Sequence, residues 1–269
     1  MKTISFEFIT SRKNARIISV CALADKKARD KEGLFCAEGI KLLRELLDEN
    51  IKIDDLYFTE HASRKYETEI SRACRDGAKT FCVTDEVYLK MSSEKNPEGI
   101  LAVAKKFKTF ETVCRMPREN GFLLLDAVQN PSNVGTVIRT ACALGVRNVV
   151  LGAGCADVFG SKTIRAAMGA LFKVNICIAK DICEQIKLLK EDGVRVFGTA
   201  LCPDSKPINE ISFLPTDAIV LGNEGGGISE DVLSLCDTKV IIPMHLGAES
   251  LNAASAATIF IWEKQKAQV

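Results

Sequence analysis

Three stretches of the chain place polar, small and glycine residues directly after apolar runs, an arrangement suited to holding a ligand at strand ends. The first, 126–141, carries Asp126, Asn130, Pro131, Asn133, Gly135 and Arg139. It reads as a strand end, a proline turn and a helix whose opening amides and arginine converge on an anion such as a phosphate. The second, 219–229, runs from an apolar strand into Gly222, Asn223, Glu224, Gly225, Gly226, Gly227 and Ser229. Glycines let a backbone approach a ligand closely, and Glu224 stands as an acid in an otherwise permissive loop. The third, 242–256, follows Ile242, Pro243 and Met244 with Ser250, Leu251 and Asn252, just ahead of a run of small residues. Taken singly, each has a plainer reading: an Asn-Pro turn capping a helix with Arg139 as a surface charge, a turn before a helix capped by Ser229, and one more helix cap. Caps do not account for the clusters as wholes.

Other nucleotide and metal chemistries fail on spacing. Gly152 and Gly154 follow a strand as in a dinucleotide fingerprint, but the third glycine position holds Asp157, and no phosphate-binding Gly-x-x-x-x-Gly-Lys-Ser/Thr occurs. NAD and ATP are therefore not expected. The 11 cysteines contain no Cys-x-x-Cys pair, and only His61 and His245 accompany them, so no metal site is expected and the thiols read as small, reduced core residues.

The elements that must position these residues are legible from apolar patterning. Continuous apolar runs at 122–126, 148–151, 173–178, 194–199, 218–221 and 239–242 read as strands buried on both faces, with helices at 134–144, 182–191 and 252–264. This predicts an open, largely parallel sheet with helices on both sides. Ahead of it, after a helical start, strands at 34–37, 53–58, 80–83 and 99–104 alternate with helices at 39–47 and 64–76, a second α/β layer. Periodicity is lost through 105–120, which places the boundary there. With 269 residues, 47% hydrophobic and 26% charged, the chain can bury an ordinary core. No apolar run approaches a membrane span, and residues 1–10 carry Lys2 and Glu7 without a signal-peptide core, so a cytoplasmic location is expected. Net charge is +1, yet residues 1–31 hold a local excess of basic groups: Lys2, Arg12, Lys13, Arg16, Lys26, Lys27, Arg29 and Lys31 against Glu7, Asp25 and Asp30. That excess suits either a solvated helix face or an RNA contact.

In this order the three stretches resemble the three signature motifs of the SpoU/TrmH family of SPOUT methyltransferases, with similarity over 121–262. The connecting segment 157–172, with Ser161, Lys162, Arg165, Met168 and Gly169, resembles the same family. Phe35, Glu38 and Gly39, together with 97–103, are similar to that family's appended substrate-binding domain. The resemblance implies an α/β fold: a small ribosomal-protein-L30e-like domain at 1–105, a linker at 106–120, and a SPOUT catalytic domain at 121–269, its parallel sheet carrying a C-terminal trefoil knot near Gly222 and Ser250. Knots are rare enough that general topology would not suggest one.

The same resemblance implies transfer of a methyl group from S-adenosylmethionine to a ribose 2′-hydroxyl of RNA. Thr199, Leu221, Gly222, Ile242, Met244 and Leu251 would line the cofactor pocket, and Asn133, Arg139, Glu224, Ser250 and Asn252 match the family's polar active-site positions. It implies a homodimer in which catalytic residues of one subunit face the cofactor site of the other, with no metal. The two-domain form looks most like an enzyme acting on a guanosine of 23S rRNA, with tRNA left open. A non-catalytic RNA-binding or ribosome-assembly factor would be expected to have lost Arg139, Asn252 or the Gly222 loop, and all are present.

Overall fold

The computed structural model describes residues 6–245 and 251–266. The chain divides into two compact units, Met1–Phe107 with Asp157–Phe172, and Lys108–Ala156 with Lys173–Val269.

The first unit runs β1 (Glu7–Ile9), α1 (Ala15–Ala22), α2 (Lys26–Glu32), β2 (Leu34–Glu38), α3 (Ile40–Asp48), β3 (Ile53–Thr59), α4 (Glu60–Lys65), α5 (Glu67–Arg75), β4 (Lys79–Val83), α6 (Asp85–Met91) and β5 (Ile100–Lys105). Its strands lie in the order β1-β4-β3-β5-β2, with β5 antiparallel to both neighbours. Helices start where a side chain satisfies free amides: Asn14, Asp25, Thr59 and Thr84 each accept a hydrogen bond from the first turn. The helical spacing of 40–47 buries Ile40, Leu42, Leu43, Leu46 and Leu47. The expected helical start is instead preceded by a strand, because Ile9 turns into the core beside Ile17, Tyr57 and Phe81.

The second unit continues with β6 (Phe122–Leu125), α7 (Pro131–Ala143) and β7 (Asn148–Leu151). After α8 (Ser161–Ala167), which belongs to the first unit, come β8 (Asn175–Ile178), α9 (Ile182–Glu191), β9 (Val196–Thr199), β10 (Lys206–Pro207), β11 (Ala218–Leu221), α10 (Glu230–Leu235), β12 (Thr238–Ile241) and α11 (Ala253–Gln265). Seven parallel strands lie in the order β10-β12-β9-β11-β6-β7-β8. Strand order reverses at β6 and β11, the place where an open α/β sheet leaves a crevice beyond its strand ends. All residues of β6, β7 and β11 are buried, as their unbroken apolar runs require. Phe122, Leu124, Val150, Val196 and Val220 share a core with Ile182, Ile186 and Leu189 of α9 and Val232 of α10. Each such side chain contributes about 1.5–3 kcal/mol on burial. α7 and α11 pack on each other, and α11 lies against β11.

The stretch expected as a linker is not loose. Phe110 pairs with Cys177, and Val113 and Met116 are buried in the second unit's core. Segment 157–172, expected within the catalytic half, packs into the first unit. Arg29, 5% exposed, donates to Asp157 Oδ2 from Nε (3.1 Å) and Nη2 (2.6 Å), and from Nη1 to the carbonyls of Leu23 and Ala24. Phe159 and Phe172 pack against Phe35 and Phe107. The cysteines are free; Cys82 and Cys177 are buried, and the half-buried Cys21, Cys36, Cys183 and Cys236 pack against the cores, so the core reading fits these, while Cys114 is exposed.

Candidate active site

The site sits at the carboxyl ends of β6, β9, β11 and β12. β11 feeds the glycine loop, which closes on itself: Asn223 and Gly227 exchange two backbone hydrogen bonds of 2.8 and 2.9 Å. A Cβ on Gly222 would stand 2.1 Å from the Gly227 carbonyl carbon, so only glycine permits this closure. Asn223 Oδ1 accepts from the amides of Gly225 and Gly226, shaping the tip.

β6 feeds α7. Asn130 caps that helix by accepting from the amides of Ser132 and Asn133, with Pro131 at the first turn where its missing N–H costs nothing. Asn133 is thereby turned inward and buried, and its Nδ2 donates to Glu224 Oε1 at 2.7 Å. Asn252 caps α11, its Oδ1 accepting from the amides of Ala254 and Ser255, which leaves its Nδ2 to donate to Asn133 Oδ1 at 3.2 Å. The two caps thus fix the sense of a chain of donors running from Asn252 through Asn133 to the Glu224 carboxylate.

Thr199, Leu221, Gly222, Ile242, Met244 and Leu251 all line one cleft of about 520 Å³, within the roughly 300–1,000 Å³ typical of small-molecule sites. Its apolar walls suit an aromatic ring, its glycine backbone offers close approach, and Glu224 is the only Asp, Glu, Lys, Arg or His among the described lining residues. A lining with one carboxylate and no Lys or Arg fits a cationic sulfonium ligand and does not fit a polyphosphate. On these observations the residues fit S-adenosylmethionine.

The comparisons with known proteins agree with that chemistry. Residues 120–262 match the SpoU rRNA Methylase family. The chain belongs to that family. Residues 14–102 match the MRM3-like substrate binding domain. The 23S rRNA (guanosine(2553)-2′-O)-methyltransferase RlmP of Bacillus subtilis is 34% identical over 259 residues, covering 94% of this chain and 97% of the relative. The 23S rRNA (uridine(2479)-2′-O)-methyltransferase of Streptomyces viridochromogenes is 28% identical over 272 residues, covering 97% and 92%. Among solved structures, the AdoMet-bound rRNA methyltransferase of Sinorhizobium meliloti superposes with a TM-score of 0.88 at 27% identity, covering 98% of this chain and 99% of that one. As a member of this family the chain is an S-adenosylmethionine-dependent RNA 2′-O-methyltransferase with the α/β fold of SPOUT enzymes.

The expected residues fall into three groups. The six assigned to the cofactor line the one cleft, and Asn133, Glu224 and Asn252 are hydrogen-bonded together beside it. Ser250 lies outside the described residues. Arg139 does not join the cluster: it is exposed on α7 and makes no hydrogen bond or ion pair with any described residue. Helix geometry explains this, since six residues beyond the inward-facing Asn133 is about 240° further round. Sequence reasoning missed Leu201 and Cys202, which follow β9 into the cleft, and named Asn223 in the second stretch without giving it the loop-shaping role it has. The rule that ligands meet residues just past the strand ends points to all three.

Proposed function

We propose that this enzyme methylates the 2′-hydroxyl of a guanosine in 23S rRNA, with its cofactor in the cleft bounded by Thr199, Leu221, Gly222, Ile242, Met244 and Leu251. The carrying observation is the meeting of those six residues with the Asn133–Glu224–Asn252 cluster at one strand edge. Bound there, S-adenosylmethionine supplies an electrophilic methyl group on a positively charged sulfur. The protein has to align a ribose oxygen with that methyl and help its proton leave. Glu224, oriented by Asn133 and Asn252, is placed to receive the proton or to fix a guanidinium. A guanidinium is a donor with no acceptor to take up a proton, so Arg139 serves as a phosphate clamp that polarises the hydroxyl, and Ser250 orients the ribose.

Arg139 has no partner among the described residues of its own chain, which supports the reading that it serves the cleft of a second copy. The outer face of α11 supports the same homodimer: Ile259 and Trp262 are exposed there, Trp262 by 53%. A trefoil knot in the catalytic unit and a cytoplasmic location belong to the same reading. Among the described residues no helix is long and apolar enough to cross a membrane. The first unit supports RNA binding through Lys13, Lys26 and Lys27, all exposed; Arg29 is spent on Asp157 and is not available to RNA.

Transfer of labelled methyl from S-adenosylmethionine into RNA of a strain lacking the gene, followed by nucleoside analysis, tests this. Labelled 2′-O-methylguanosine in 23S rRNA is the expected result. Label confined to tRNA or to another nucleoside overturns the substrate assignment, and cofactor binding without transfer to any RNA overturns the catalytic one.

A further inference from the structure

The glycine loop that walls the cleft is held at both ends by a segment that does not line the cleft. At its start, Asn223 Nδ2 donates to the Ala127 carbonyl at 2.8 Å. At its end, Asp126 Oδ2 accepts from both the amide and the hydroxyl of Ser229, each at 2.8 Å. Asp126 is buried, and its own amide donates to the Leu221 carbonyl at 2.8 Å, so the carboxylate is anchored to the strand from which the loop departs. Ala127 is held at φ +52, a left-handed conformation costly for alanine, which presents its carbonyl to Asn223. Ser229 begins α10 without capping that helix through its side chain, because its hydroxyl is committed to Asp126.

Between these two ties lie three consecutive glycines, Gly225, Gly226 and Gly227, all exposed. Glycine loses more conformational freedom on ordering than any other residue, so an untied loop of this composition would have to be ordered by its ligand at the expense of affinity. Tied at both ends, the loop meets its ligand already shaped. The tie comes from the β6–α7 corner, the same segment that carries Asn133 to Glu224, so cofactor wall and polar cluster are set by one piece of backbone.

We propose that Asp126 and Asn223 are positioning residues for S-adenosylmethionine: they pre-form the glycine wall of the cleft and thereby set cofactor affinity without touching the reacting atoms. This rests on the cofactor occupying the cleft, and the test separates the two. Cofactor affinity is measured by calorimetry on the full chain, with kcat and KM from methyl transfer. Asn223→Asp keeps the acceptor that shapes the loop tip but loses the donor to Ala127; Asp126→Asn weakens the tie to Ser229; Ser229→Ala removes one of its two bonds. Affinity is expected to fall about tenfold for the first two and about threefold for the third, with kcat at saturating cofactor within about threefold of wild type. Ser229→Thr, which keeps the hydroxyl, restores affinity, and the Asp126→Asn, Asn223→Asp pair weakens it by less than the product of the singles, because both release one loop. Wild-type affinity in both Asn223→Asp and Asp126→Asn, or a fall in kcat with affinity unchanged, overturns the proposal. Ala256→Trp, which fills the cleft from α11, is the control. If it too binds cofactor as wild type does, the cleft assignment itself fails; if it alone loses binding, the positioning proposal fails and the cleft stands.

Discussion

The two ends of the parallel sheet handle polar groups in opposite ways. At the carboxyl end, Asn133, Glu224 and Asn252 form a short chain of hydrogen bonds that ends on an exposed carboxylate with acceptor capacity to spare. At the amino end Asp217 and Asn148 are sealed. Asp217, 1% exposed, accepts from Arg195 Nε and Nη2 and from the Leu214 amide. Asn148 is fully buried between the carbonyls of Pro117 and Gly121 and the amide group of Asn175. Lys264, from the end of α11, reaches the Pro215 carbonyl. Asp217 and Asn148 are satisfied within the fold and hold it; the carboxylate at the other end keeps bonding capacity. The same residue types appear at both ends, and only their remaining capacity distinguishes chemistry from architecture.

That contrast is broken most severely by Arg139→Ala. Because the side chain is exposed and unpaired among the described residues, the substitution should leave thermal unfolding and cofactor affinity unchanged while lowering methyl transfer by about a thousandfold. Retained activity would remove Arg139 from the mechanism. Asp217→Ala should do the reverse, costing about 2–3 kcal/mol in denaturant unfolding through the stranded Leu214 amide and the lost bonds to the half-exposed Arg195, with kcat of the folded fraction preserved.

Lys264 sharpens the contrast through pH. Burial pushes its ammonium from 10.5 down to about 8. Between those values the unfolded chain binds a proton that the folded chain does not, so stability rises with pH across the window. Below pH 8 both states are protonated and the burial cost is fully felt. Measured against Lys264→Met, which has nothing to titrate there, the wild type should gain up to about 3 kcal/mol as pH rises from 8 to 10.5. A constant difference between the two proteins over that range would refute it. The smallest effect is expected at the corner between the two ends of the loop tie: Ala127→Gly relieves the left-handed φ of +52 and should raise stability by less than about 1 kcal/mol, read as a small upward shift in Tm.

Much of this arrangement was legible because it is written in local pattern. Unbroken apolar runs located β6, β7 and β11, helical spacing located α9 to the residue, and the residues just past strand ends marked the cleft. The short helices α6 and α8 were not assigned, and α10 was read only as the helix after Ser229, since six or seven residues scarcely complete a periodic signal. The buried Lys264 and Asp217 were invisible for another reason: nothing adjacent in sequence says that α11 ends over the start of β11, and burial of a charge depends on partners brought by topology. Arg139 lies on the helix expected for it, but whether it faces its own cleft is a question of helical phase and subunit number rather than motif.

The packing of segment 157–172 into the first unit bears on how the chain is made. During synthesis β2 emerges with Phe35 and α2 with Arg29 long before their partners Phe159 and Asp157 exist. The amino-terminal unit therefore reaches its final core only after β6, α7 and β7 have left the ribosome, and an enzyme shortened to begin at residue 108 would carry Phe159, Phe172 and the Asp157 carboxylate with nothing to receive them. The amino-terminal unit is completed by residues that lie in the sequence between β7 and β8, so a cut at residue 107 parts one core from the side chains that finish it.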